Sequence, residues 1–476
     1  MTKYNYRSTL KSDQYRFEST LIKSKNKEDF YKYIKRIKNP NQSIMKILDT
    51  SGSIKKDSNE IADIFNNYFK SVYNPLSLTA KNTNTTHVNI TMDESLIKTS
   101  IKAFSTKNSI GPDEIPGKFL YRLSHNIAPI LVRLFNLFIK NKYIPELWKI
   151  SYVIPIYKKA GDPLLTKNYR PIAIGCALFR IFEKALAILL QNKIDSSLSK
   201  NQHGFRKKHS VVSNTLASYY TLYSKLNNRE PVDIITIDLA KAFDKVDLNI
   251  LMDKLRIMGL EYEWIDLIEL LLFNRKQQVR INNCLSEATV ITSVVPQGSP
   301  ISPILFAVYI DDLLQRELTT FISSYADDLK LSGAPGIGLQ MDLATIKNWC
   351  ESNIMTINEN KCECIHFGTN NPETNYTIGI HQIPPVTTIR DLGILIDNKL
   401  TFNNHVDALR KKCFKLINFI FRLLSIKQAD PYLHLYKLCV LPTVRFGSHM
   451  YGSGSSSALK DLESIQKYFT RKLFTD

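Results

Sequence analysis

Apolar and polar positions follow two different periods along the chain, and these periods predict its helices and strands. Apolar side chains at helical spacing predict an amphipathic helix at Ile61–Val72. The same spacing predicts helices at Asp93–Phe104, Ala128–Lys140, Phe179–Gln191, Ile265–Phe273 and Pro303–Leu314, and a helical region from Phe402 onward. Short apolar runs predict strands at Tyr152–Tyr157, Asp233–Ile237, Phe321–Tyr325, Cys364–Phe367 and Thr388–Ile396. Strands with crossing helices, followed by a helical end, predict an α+β fold with a helical C-terminal tail.

One segment interrupts this pattern and marks the best candidate for a domain boundary. Asn74–Asn89 is rich in Thr, Asn and Ser, a composition typical of a connecting segment. We therefore predict a basic, aromatic and helical N-terminal extension with its linker in residues 1–90. Residues 91–397 would form the central domain, with a core at about 138–397, and residues 398–476 a helical C-terminal part.

The charge balance narrows the class of partner. The 476 residues contain 63 Lys and Arg against 44 Asp and Glu, which gives a net charge of +19. Two segments contribute most of it: residues 1–60 carry a net +7 and residues 399–427 a net +6. Such a basic protein usually has a polyanionic partner, most commonly nucleic acid, although a ribosomal or merely soluble basic protein remains an alternative.

Cysteine content and hydropathy indicate an intracellular protein. The seven cysteines form no CxxC pair and are too few for a disulfide framework, which favours a reducing compartment, nuclear or cytoplasmic. The N-terminus is polar, and the most apolar stretch, Ile127–Ile139, is short and contains Arg133. We therefore expect no signal peptide and no membrane partner.

Two pairs of adjacent aspartates call for different interpretations. Asp327 and Asp328 lie between two strand-type runs in SSYADDLKL, which predicts a β-hairpin with the acids at its turn. Asp311 and Asp312 follow FAVYI in a helical pattern, and we expect them to form a solvated helix end. Because aspartate is common in turns for local reasons, an Asp-Asp pair alone is weak evidence of catalysis.

A third acid strengthens the catalytic interpretation of the hairpin pair. Asp238 ends the buried strand DIITI, where a carboxylate is costly unless something binds it. Asp238, Asp327 and Asp328 on neighbouring strands would form an oxygen-rich cage suited to Mg²⁺. Two such ions can hold the attacking and leaving oxygens of a phosphoryl transfer.

Three motifs in a fixed order resemble those of reverse transcriptases from non-LTR (LINE-type, jockey-like) retrotransposons. DIITIDLAKAFDKVD resembles the first catalytic strand of that family, and VVPQGSPISPILFAVYIDDL resembles the loop and helix that hold template and nucleotide. SYADDLKL resembles the Tyr/Phe-x-Asp-Asp hairpin, 89 positions after the first acid. The resemblance spans most of residues 45–476 and implies a right-hand polymerase fold with fingers, palm and thumb.

The resemblance assigns roles to the acids and to one lysine. Asp238 and Asp327 match the two metal-bridging acids, and the Leu239 carbonyl could add a ligand. Asp328 matches the second hairpin acid, which is usually less directly involved. The implied cofactor is a pair of Mg²⁺ ions, with Mn²⁺ as a possible substitute. Lys361 resembles the lysine that protonates the pyrophosphate leaving group, although a lysine in a surface turn is common.

The resemblance also implies a nucleotide site. Phe243 matches an aromatic residue that closes the space beside the sugar C2′ and so favours dNTPs over NTPs; a core phenylalanine is the alternative. Lys158 and Arg170 lie in a strand–loop–strand unit and could hold the triphosphate. Gln297 and Gly298 lie in a tight turn that would approach the incoming base and sugar.

Two basic segments are candidates for binding the template–primer duplex. The first, in QHGFRKKHS, combines an aromatic residue with cations, which suits phosphate contact plus base stacking; a helix-capping loop is the alternative. The second lies on a helical pattern that resembles a thumb helix. The candidate residues are Phe205, Arg206, Lys207, Lys208, Arg410, Lys411, Lys412 and Lys415.

The leading hypothesis is an RNA-directed DNA polymerase that extends a DNA 3′-OH on an RNA template with dNTPs. Its expected partners are the RNA template and the DNA primer or target. Three alternatives stay open at this point: a catalytically silent RNA-binding protein derived from a retroelement, an RNA-templated RNA polymerase, and an intron-maturase type of reverse transcriptase. Phe243 and the YADD run disfavour the RNA polymerase.

Overall fold

A computed structural model describes residues 46–74, 89–105, 109–293, 295–424, 428–452 and 454–475. The first 45 residues, and residues 75–88 of the predicted linker, lie outside the described residues. The predictions made for those segments therefore stay predictions.

Strands and helices are interspersed as far as the middle of the chain, and helices follow. The strands are β1 (Ile47–Leu48), β2 (Ile54–Lys55), β3 (Ile150–Tyr157), β4 (Tyr169–Ile174), β5 (Val232–Asp238), β6 (Lys276–Ile281), β7 (Cys284–Leu285), β8 (Thr289–Val290), β9 (Phe321–Tyr325), β10 (Asp328–Gly333), β11 (Glu363–Phe367), β12 (Thr377–Ile378), β13 (His381–Gln382), β14 (Thr388–Asp391) and β15 (Ile394–Asp397).

The helices are α1 (Ser58–Lys70), α2 (Glu94–Lys102), α3 (Gly117–Arg122), α4 (Ser124–Lys140), α5 (Ala177–Ile194), α6 (Val211–Asn227), α7 (Leu248–Ile257), α8 (Tyr262–Leu272), α9 (Ser302–Leu314), α10 (Ile337–Ser352), α11 (Asn403–Leu423), α12 (Ala429–Leu435), α13 (Leu441–Arg445), α14 (Ser448–Tyr451) and α15 (Ser456–Thr475). A π-helical turn, Tyr436–Val440, joins α12 to α13. Within the residues that the structure describes, no helix is both long enough and hydrophobic enough to cross a membrane.

The larger structural core is built on a four-stranded sheet with the order β11-β5-β10-β9. Strand β5 lies in the middle of the sheet and pairs antiparallel with both β10 and β11. Apart from Asp233 and Asp238 its residues are all β-branched, and most of the strand is buried, as expected for a central strand with both faces covered. Helices α5, α7, α9 and α10 supply much of the buried apolar surface of this core.

A second sheet, with the order β4-β3-β6-β7, carries the N-terminal helix on one side. Asp57 is the N-cap of helix α1: its side chain accepts hydrogen bonds from the backbone N–H groups of Asn59 and Glu60. Its apolar face, including Phe65, packs against this sheet, and the Phe65 ring meets that of Tyr169 edge-on at 4.9 Å. The helix predicted at Ile61–Val72 is therefore present, about one turn earlier than its pattern suggested.

The C-terminal part has a core of its own. Helix α11 packs along α15 and against the hairpin β14–β15, and α6 and β5 contribute to the same cluster. The stretch predicted as one strand-rich run, Thr388–Ile396, is this hairpin, because the Leu392-Gly393 turn, with both residues at positive φ, reverses the chain. The helical tail is confirmed, and so is the α+β class.

The structure corrects the interpretation of Asp311 as part of a solvated helix end, whereas Asp312, with about half of its side chain exposed, does face solvent. Asp311 is buried on α9, where Oδ1 accepts a hydrogen bond from the backbone N–H of Ser199 at 2.7 Å. Asp312 pairs with Lys254 at 2.6 Å and accepts from Trp349 Nε1 at 3.0 Å. The pattern of α9 did not reveal these partners because they come from three other parts of the chain.

Candidate active site

Two strand ends bring three acids together at one edge of the four-stranded sheet. Strand β5 ends at Asp238, β10 begins at Asp328, and the antiparallel register places these two residues opposite each other. Asp327 lies in the turn between β9 and β10. The predicted hairpin is therefore present, and the three acids line one cleft. The predicted cage of three acids is not, because within the described ranges no three acids are arranged to hold a metal by themselves.

Hydrogen bonds from buried polar side chains stabilise the turn that carries Asp327. Ala326 adopts a left-handed conformation, with φ of +60°, which is unfavourable for a residue with a Cβ atom. The side chain of Gln202, fully buried, accepts hydrogen bonds from the backbone N–H groups of Ala326 and Gly204 at 3.2 and 2.7 Å. Ser324 Oγ donates to the Ala326 carbonyl at 2.6 Å. Part of the QHGF run thus supports the turn, a role that the sequence did not reveal.

Mutual repulsion and burial disfavour the ionised forms of the hairpin acids. Burial, followed by the charges of Asp327 and Asp238, raises the pKa of Asp328 to about 6. Burial and the charge of Asp238 also raise the pKa of Asp327, although Lys361 and Arg170 partly oppose this. A divalent cation would remove this repulsion, so the charges of the cluster fit such an ion.

The few acids of the cleft would suit a metal site in which water and substrate oxygens supply the remaining ligands. Among residues in the described ranges, no group of three or more His, Cys, Asp or Glu side chains is arranged to hold a metal by itself. Mg²⁺ is usually bound by one or two carboxylates together with water and substrate phosphates, and not by an all-protein cage. Asp238, Asp327 and the adjacent Leu239 carbonyl suit this mode of binding.

Asp238 also has partners that would compete with a metal. Lys361 Nζ lies 3.0 Å from Asp238 Oδ2, and Asn358 Nδ2 donates to the same oxygen at 2.9 Å. Asn358 also donates its backbone N–H to the Asp238 carbonyl at 2.7 Å, so it fixes both parts of the residue. Lys361 is two-thirds exposed and can move away. Sequence reasoning found Lys361 and missed Asn358.

A large cleft opens in front of the acids, and cations line its other side. Its volume is about 1030 Å³, and it contains Lys158, Arg170, Lys241 and Lys361 together with the three acids. Burial and the charges of Arg170, Lys241 and Lys361 lower the pKa of Lys158, which shows how closely these cations approach one another. Such a cluster is suited to a triphosphate. Lys241, in a left-handed conformation after β5, was not identified from the sequence.

Phe243 forms a fixed wall of this cleft. Its ring stacks on Phe306 at 4.5 Å between centroids and meets Phe205 edge-on at 5.9 Å. The ring is only partly buried and lines the cleft, so it is neither a fully buried core residue nor a mobile surface side chain. The structure places Phe205 here as well, 42% exposed, and not on a separate nucleic-acid surface.

Gln297 and Gly298 line the cleft, but the close approach that Gly298 permits is to protein and not to a ligand. Gly298 has φ of +119°, and a Cβ atom there would lie 2.5 Å from the Ala173 carbonyl oxygen. The backbone N–H of Ala173 donates to the Gln297 carbonyl at 2.7 Å. The turn is therefore tied to β4, which carries Arg170.

Asp244 and helix α1 complete the cleft; the sequence analysis did not identify Asp244, and it predicted the helix but not its place in the cleft. Asp244 is 7% exposed and accepts a hydrogen bond from Gln297 Nε2 at 3.0 Å. Tyr68 and Tyr73, at and beyond the end of α1, line the same cleft. The only sequence signal for Asp244 is its position next to Phe243.

One of the two basic segments is partly used within the protein. Arg206 is buried: its Nε lies 3.2 Å from Asp195 Oδ1, and its guanidinium donates to the carbonyls of Asp195, Leu198 and Ser199. The prediction that Arg206 contacts phosphate conflicts with this arrangement, because four of its five N–H donors serve the chain itself. Lys207 and Lys208 are exposed, and Lys207 Nζ donates to Asn192 at 2.5 Å.

Helix α11 shows a similar division. Arg410 forms ion pairs with Asp407 at 3.1 Å and Asp461 at 2.9 Å, so it joins α11 to α15 and is not an unpaired cation. Lys411 pairs with Asp407 at 2.7 Å across one turn of the helix. Lys412 and Lys415 are exposed. Of the four predicted cations, these last two are the better candidates for contact with a polyanion.

Comparison with known proteins gives one family. The family model described as "Reverse transcriptase (RNA-dependent DNA polymerase)" matches residues 156–402, just over half of the chain. The matched range contains every site residue named above except those of the N-terminal helix and α11. The match agrees with the motifs from which the resemblance was drawn.

Curated relatives come from mobile elements. The chain is 25% identical over 399 residues to the "Probable RNA-directed DNA polymerase from transposon BS" of Drosophila melanogaster, which covers 79% of this chain and 44% of the relative. It is 24% identical over 412 residues to the "RNA-directed DNA polymerase from mobile element jockey" of Drosophila funebris, covering 81% and 44%. The X-element protein of Drosophila melanogaster is 23% identical over 384 residues, covering 77% and 42%. The chain thus spans less than half the length of these relatives, and the jockey-like resemblance is confirmed.

Proposed function

The chain belongs to the reverse transcriptase (RNA-dependent DNA polymerase) family, and we propose that it is the RNA-directed DNA polymerase of a non-LTR retrotransposon. It would extend a DNA 3′-OH on an RNA template. The observation that carries the proposal is the meeting of Asp238 and Asp327 at one strand edge, facing a cation-lined cleft of about 1030 Å³. A protein that only binds RNA would have no use for acids gathered at a strand edge where burial and neighbouring charge raise the pKa of Asp327.

The acids would hold the metal ions of the reaction. Reverse transcriptases use divalent metal ions; we propose two Mg²⁺, with Mn²⁺ as a possible substitute, held by Asp238, Asp327 and the Leu239 carbonyl. Asp328 would act mainly through its charge. When bound, the ions supply charge stabilisation for attack of the primer 3′-OH on the α-phosphate. Lys361, now paired with Asp238 Oδ2, would give up that oxygen when a metal is held there and would then be free to protonate the pyrophosphate.

The remaining cleft residues would bind and orient the nucleotide. The triphosphate would be held opposite the acids by Lys158, Arg170 and Lys241. Their positive charges would attract the phosphates and so orient the α-phosphate for attack, without taking part in bond making themselves. Phe243, fixed by its stack on Phe306, would occupy the space that a ribose 2′-OH needs. The site would therefore accept dNTPs in preference to NTPs.

The architecture supports an assignment of fingers, palm and thumb. The sheet β4-β3-β6-β7 with α1 would form the fingers, the sheet β11-β5-β10-β9 the palm, and α11 to α15 the thumb. Lys207 and Lys208 near the cleft, and Lys412 and Lys415 on α11, would contact the phosphates of the template–primer duplex.

A primer-extension assay tests the proposal directly. An RNA template annealed to a DNA primer is incubated with purified protein, dNTPs and Mg²⁺, and extended DNA is measured; EDTA in place of the metal is the control. We expect extension that needs the template, the primer and the metal. Binding of the duplex without any extension, with either Mg²⁺ or Mn²⁺, would support a silent RNA-binding protein instead and contradict the proposal.

A further inference from the structure

Asp244 is a buried carboxylate in the nucleotide cleft to which no role has so far been assigned. It lies in the 3₁₀ turn Ala242–Lys245 that follows β5, and only 7% of it is exposed. The charged and titratable groups that face it come from four places. They are Lys241 in its own turn, Lys158 at the end of β3, Tyr68 on α1 and Tyr73 just beyond α1.

The only side-chain hydrogen bond of Asp244 among the described residues is with the turn that would approach the nucleotide. Gln297 Nε2 donates to Asp244 Oδ1 at 3.0 Å. An ionised carboxylate can only accept hydrogen bonds, so it holds the amide with the nitrogen toward itself. The amide oxygen, Gln297 Oε1, accepts no hydrogen bond within the described part of the chain and is not among its buried unpartnered atoms. That oxygen is left as an acceptor on a residue that lines the cleft.

We infer that Asp244 is a positioning residue that fixes the Gln297 amide so that its oxygen accepts a hydrogen bond from the sugar hydroxyl of the incoming nucleotide. The inference rests on the proposed function. A dNTP has one sugar hydroxyl, at C3′, and all four dNTPs share it, so one acceptor serves every base. An amide free to turn over would present N–H groups half of the time and would lose this match.

Protonation of Asp244 would remove this control. Burial raises its pKa to about 6, while the bond from Gln297 and the charges of Lys241 and Lys158 oppose the rise. Above pH 6 the carboxylate is ionised and accepts from Nε2. As the pH falls through 6 the carboxyl group gains a proton that it can donate to either amide atom, and the orientation is no longer fixed.

Kinetics with two kinds of nucleotide test the inference. In Asp244→Asn the new amide both donates and accepts, so we expect the KM for dNTPs to rise about tenfold while kcat stays within about twofold. The KM for 2′,3′-dideoxynucleotides, which lack the hydroxyl, should change less than about twofold. The difference in dNTP KM between wild type and variant should shrink as the pH falls through 6. Asp253→Asn, the same exchange at an exposed position on α7, is the matched control and should change nothing.

A second variant reverses the polarity of the pair. In Asp244→Asn/Gln297→Glu, the asparagine donates to one glutamate oxygen and leaves the other as an acceptor, with the same total charge as the wild type. We expect this double variant to regain most of the dNTP affinity that each single change loses. A role in folding alone would change the KM for dNTPs and for dideoxynucleotides alike in the single variants, whereas positioning changes and restores only the KM for dNTPs.

The outcomes separate this inference from the proposed function. An inactive wild type would overturn the proposed function and this inference with it. If the wild type is active, two results would overturn the inference alone. One is an unchanged KM for dNTPs in Asp244→Asn, and the other is an equal rise in KM for dNTPs and dideoxynucleotides. The unfolding temperature of each variant is measured without nucleotide. If Asp244→Asn does not fold, Gln297→Met removes the acceptor and must show the same split between the two nucleotides.

Discussion

The chain contains two Asp-Asp pairs, and their surroundings differ in the sign of the nearest charges. Asp311 and Asp312, on α9, have partners that donate or are positive: the Ser199 N–H for Asp311, and Lys254 and the Trp349 indole for Asp312. These partners join α9 to neighbouring elements. The pair therefore serves as a structural joint, with Asp311 buried and Asp312 about half exposed.

The hairpin pair has the opposite environment. Among the described residues neither Asp327 nor Asp328 forms an ion pair within 4.0 Å, and burial together with the charge of neighbouring acids, Asp238 among them, raises the pKa of both. Such an arrangement costs folding free energy unless a ligand compensates for it. The comparison shows that the dipeptide itself carries no information about function, whereas the partners that the fold supplies do.

The largest effect that the comparison predicts is on catalysis. Replacing Asp238 or Asp327 with Asn removes a metal-binding charge, and we expect primer extension to fall by at least about 10³-fold, or about 4 kcal/mol in transition-state free energy. Asp312→Asn is the matched control from the structural pair and should retain activity within about twofold. Extension rates at saturating dNTP and Mg²⁺ measure both effects.

Two results would break this distinction between the pairs. Full activity in Asp327→Asn would remove the metal assignment from the hairpin. A comparable loss in Asp312→Asn, in protein that is folded by circular dichroism, would show that the helix pair also serves the reaction.

The second prediction concerns stability, where the two pairs should respond in opposite directions. Asp311→Ala leaves the Ser199 N–H without its acceptor, and we expect the free energy of unfolding to fall by about 1–3 kcal/mol. Asp327→Asn removes repulsion and should raise the unfolding temperature at pH 8 in EDTA. Because burial and Asp238 raise the pKa of Asp327 in the folded state, ionised Asp327 destabilises the fold at high pH and not at a pH below its ordinary value.

Denaturant unfolding of both variants at pH 8 and pH 4 measures this contrast. The advantage of Asp327→Asn should be much smaller at pH 4, which is close to the ordinary pKa of aspartate, because a carboxyl already partly protonated in the unfolded state loses little by being protonated in the folded state. A stabilising effect of equal size at both pH values would mean that packing, and not charge, is responsible.

Sequence reasoning found the parts of the site that rest on local pattern. Strand periodicity and the intervening acids were enough to predict the hairpin around Asp327, and the buried run before Asp238 predicted its strand. The sequence could not reveal that Asn358 fixes Asp238 or that Gln202 supports the turn, because these contacts join segments more than 100 residues apart. Nor could it separate the two Asp-Asp pairs, since only the fold determines which cations reach them.

The same limit explains the error at Arg206. A cation beside an aromatic residue in a basic run has the composition of a phosphate-binding loop. The fold, however, brings Asp195 and three carbonyl oxygens to its guanidinium, and a planar fork with five donors suits such a buried cage. Lys208, two residues later, is exposed, and no local pattern distinguishes the two cations.

The smallest predicted effect extends the comparison from acids to these cations. Exposed cations without a partner in the protein would be the ones that contact nucleic acid. Lys208→Ala should then reduce the slope of log affinity for the duplex against log salt concentration by about 0.7–0.9, which corresponds to the loss of one phosphate contact. Arg206→Lys should leave that slope unchanged and lower the unfolding temperature, because lysine cannot satisfy the four oxygens around the guanidinium. Fluorescence anisotropy with a template–primer duplex at several salt concentrations measures the slope. An altered slope in a folded Arg206→Lys variant would mean that Arg206 reaches phosphate after all, and the distinction between satisfied and unsatisfied charges would then hold for the acids alone.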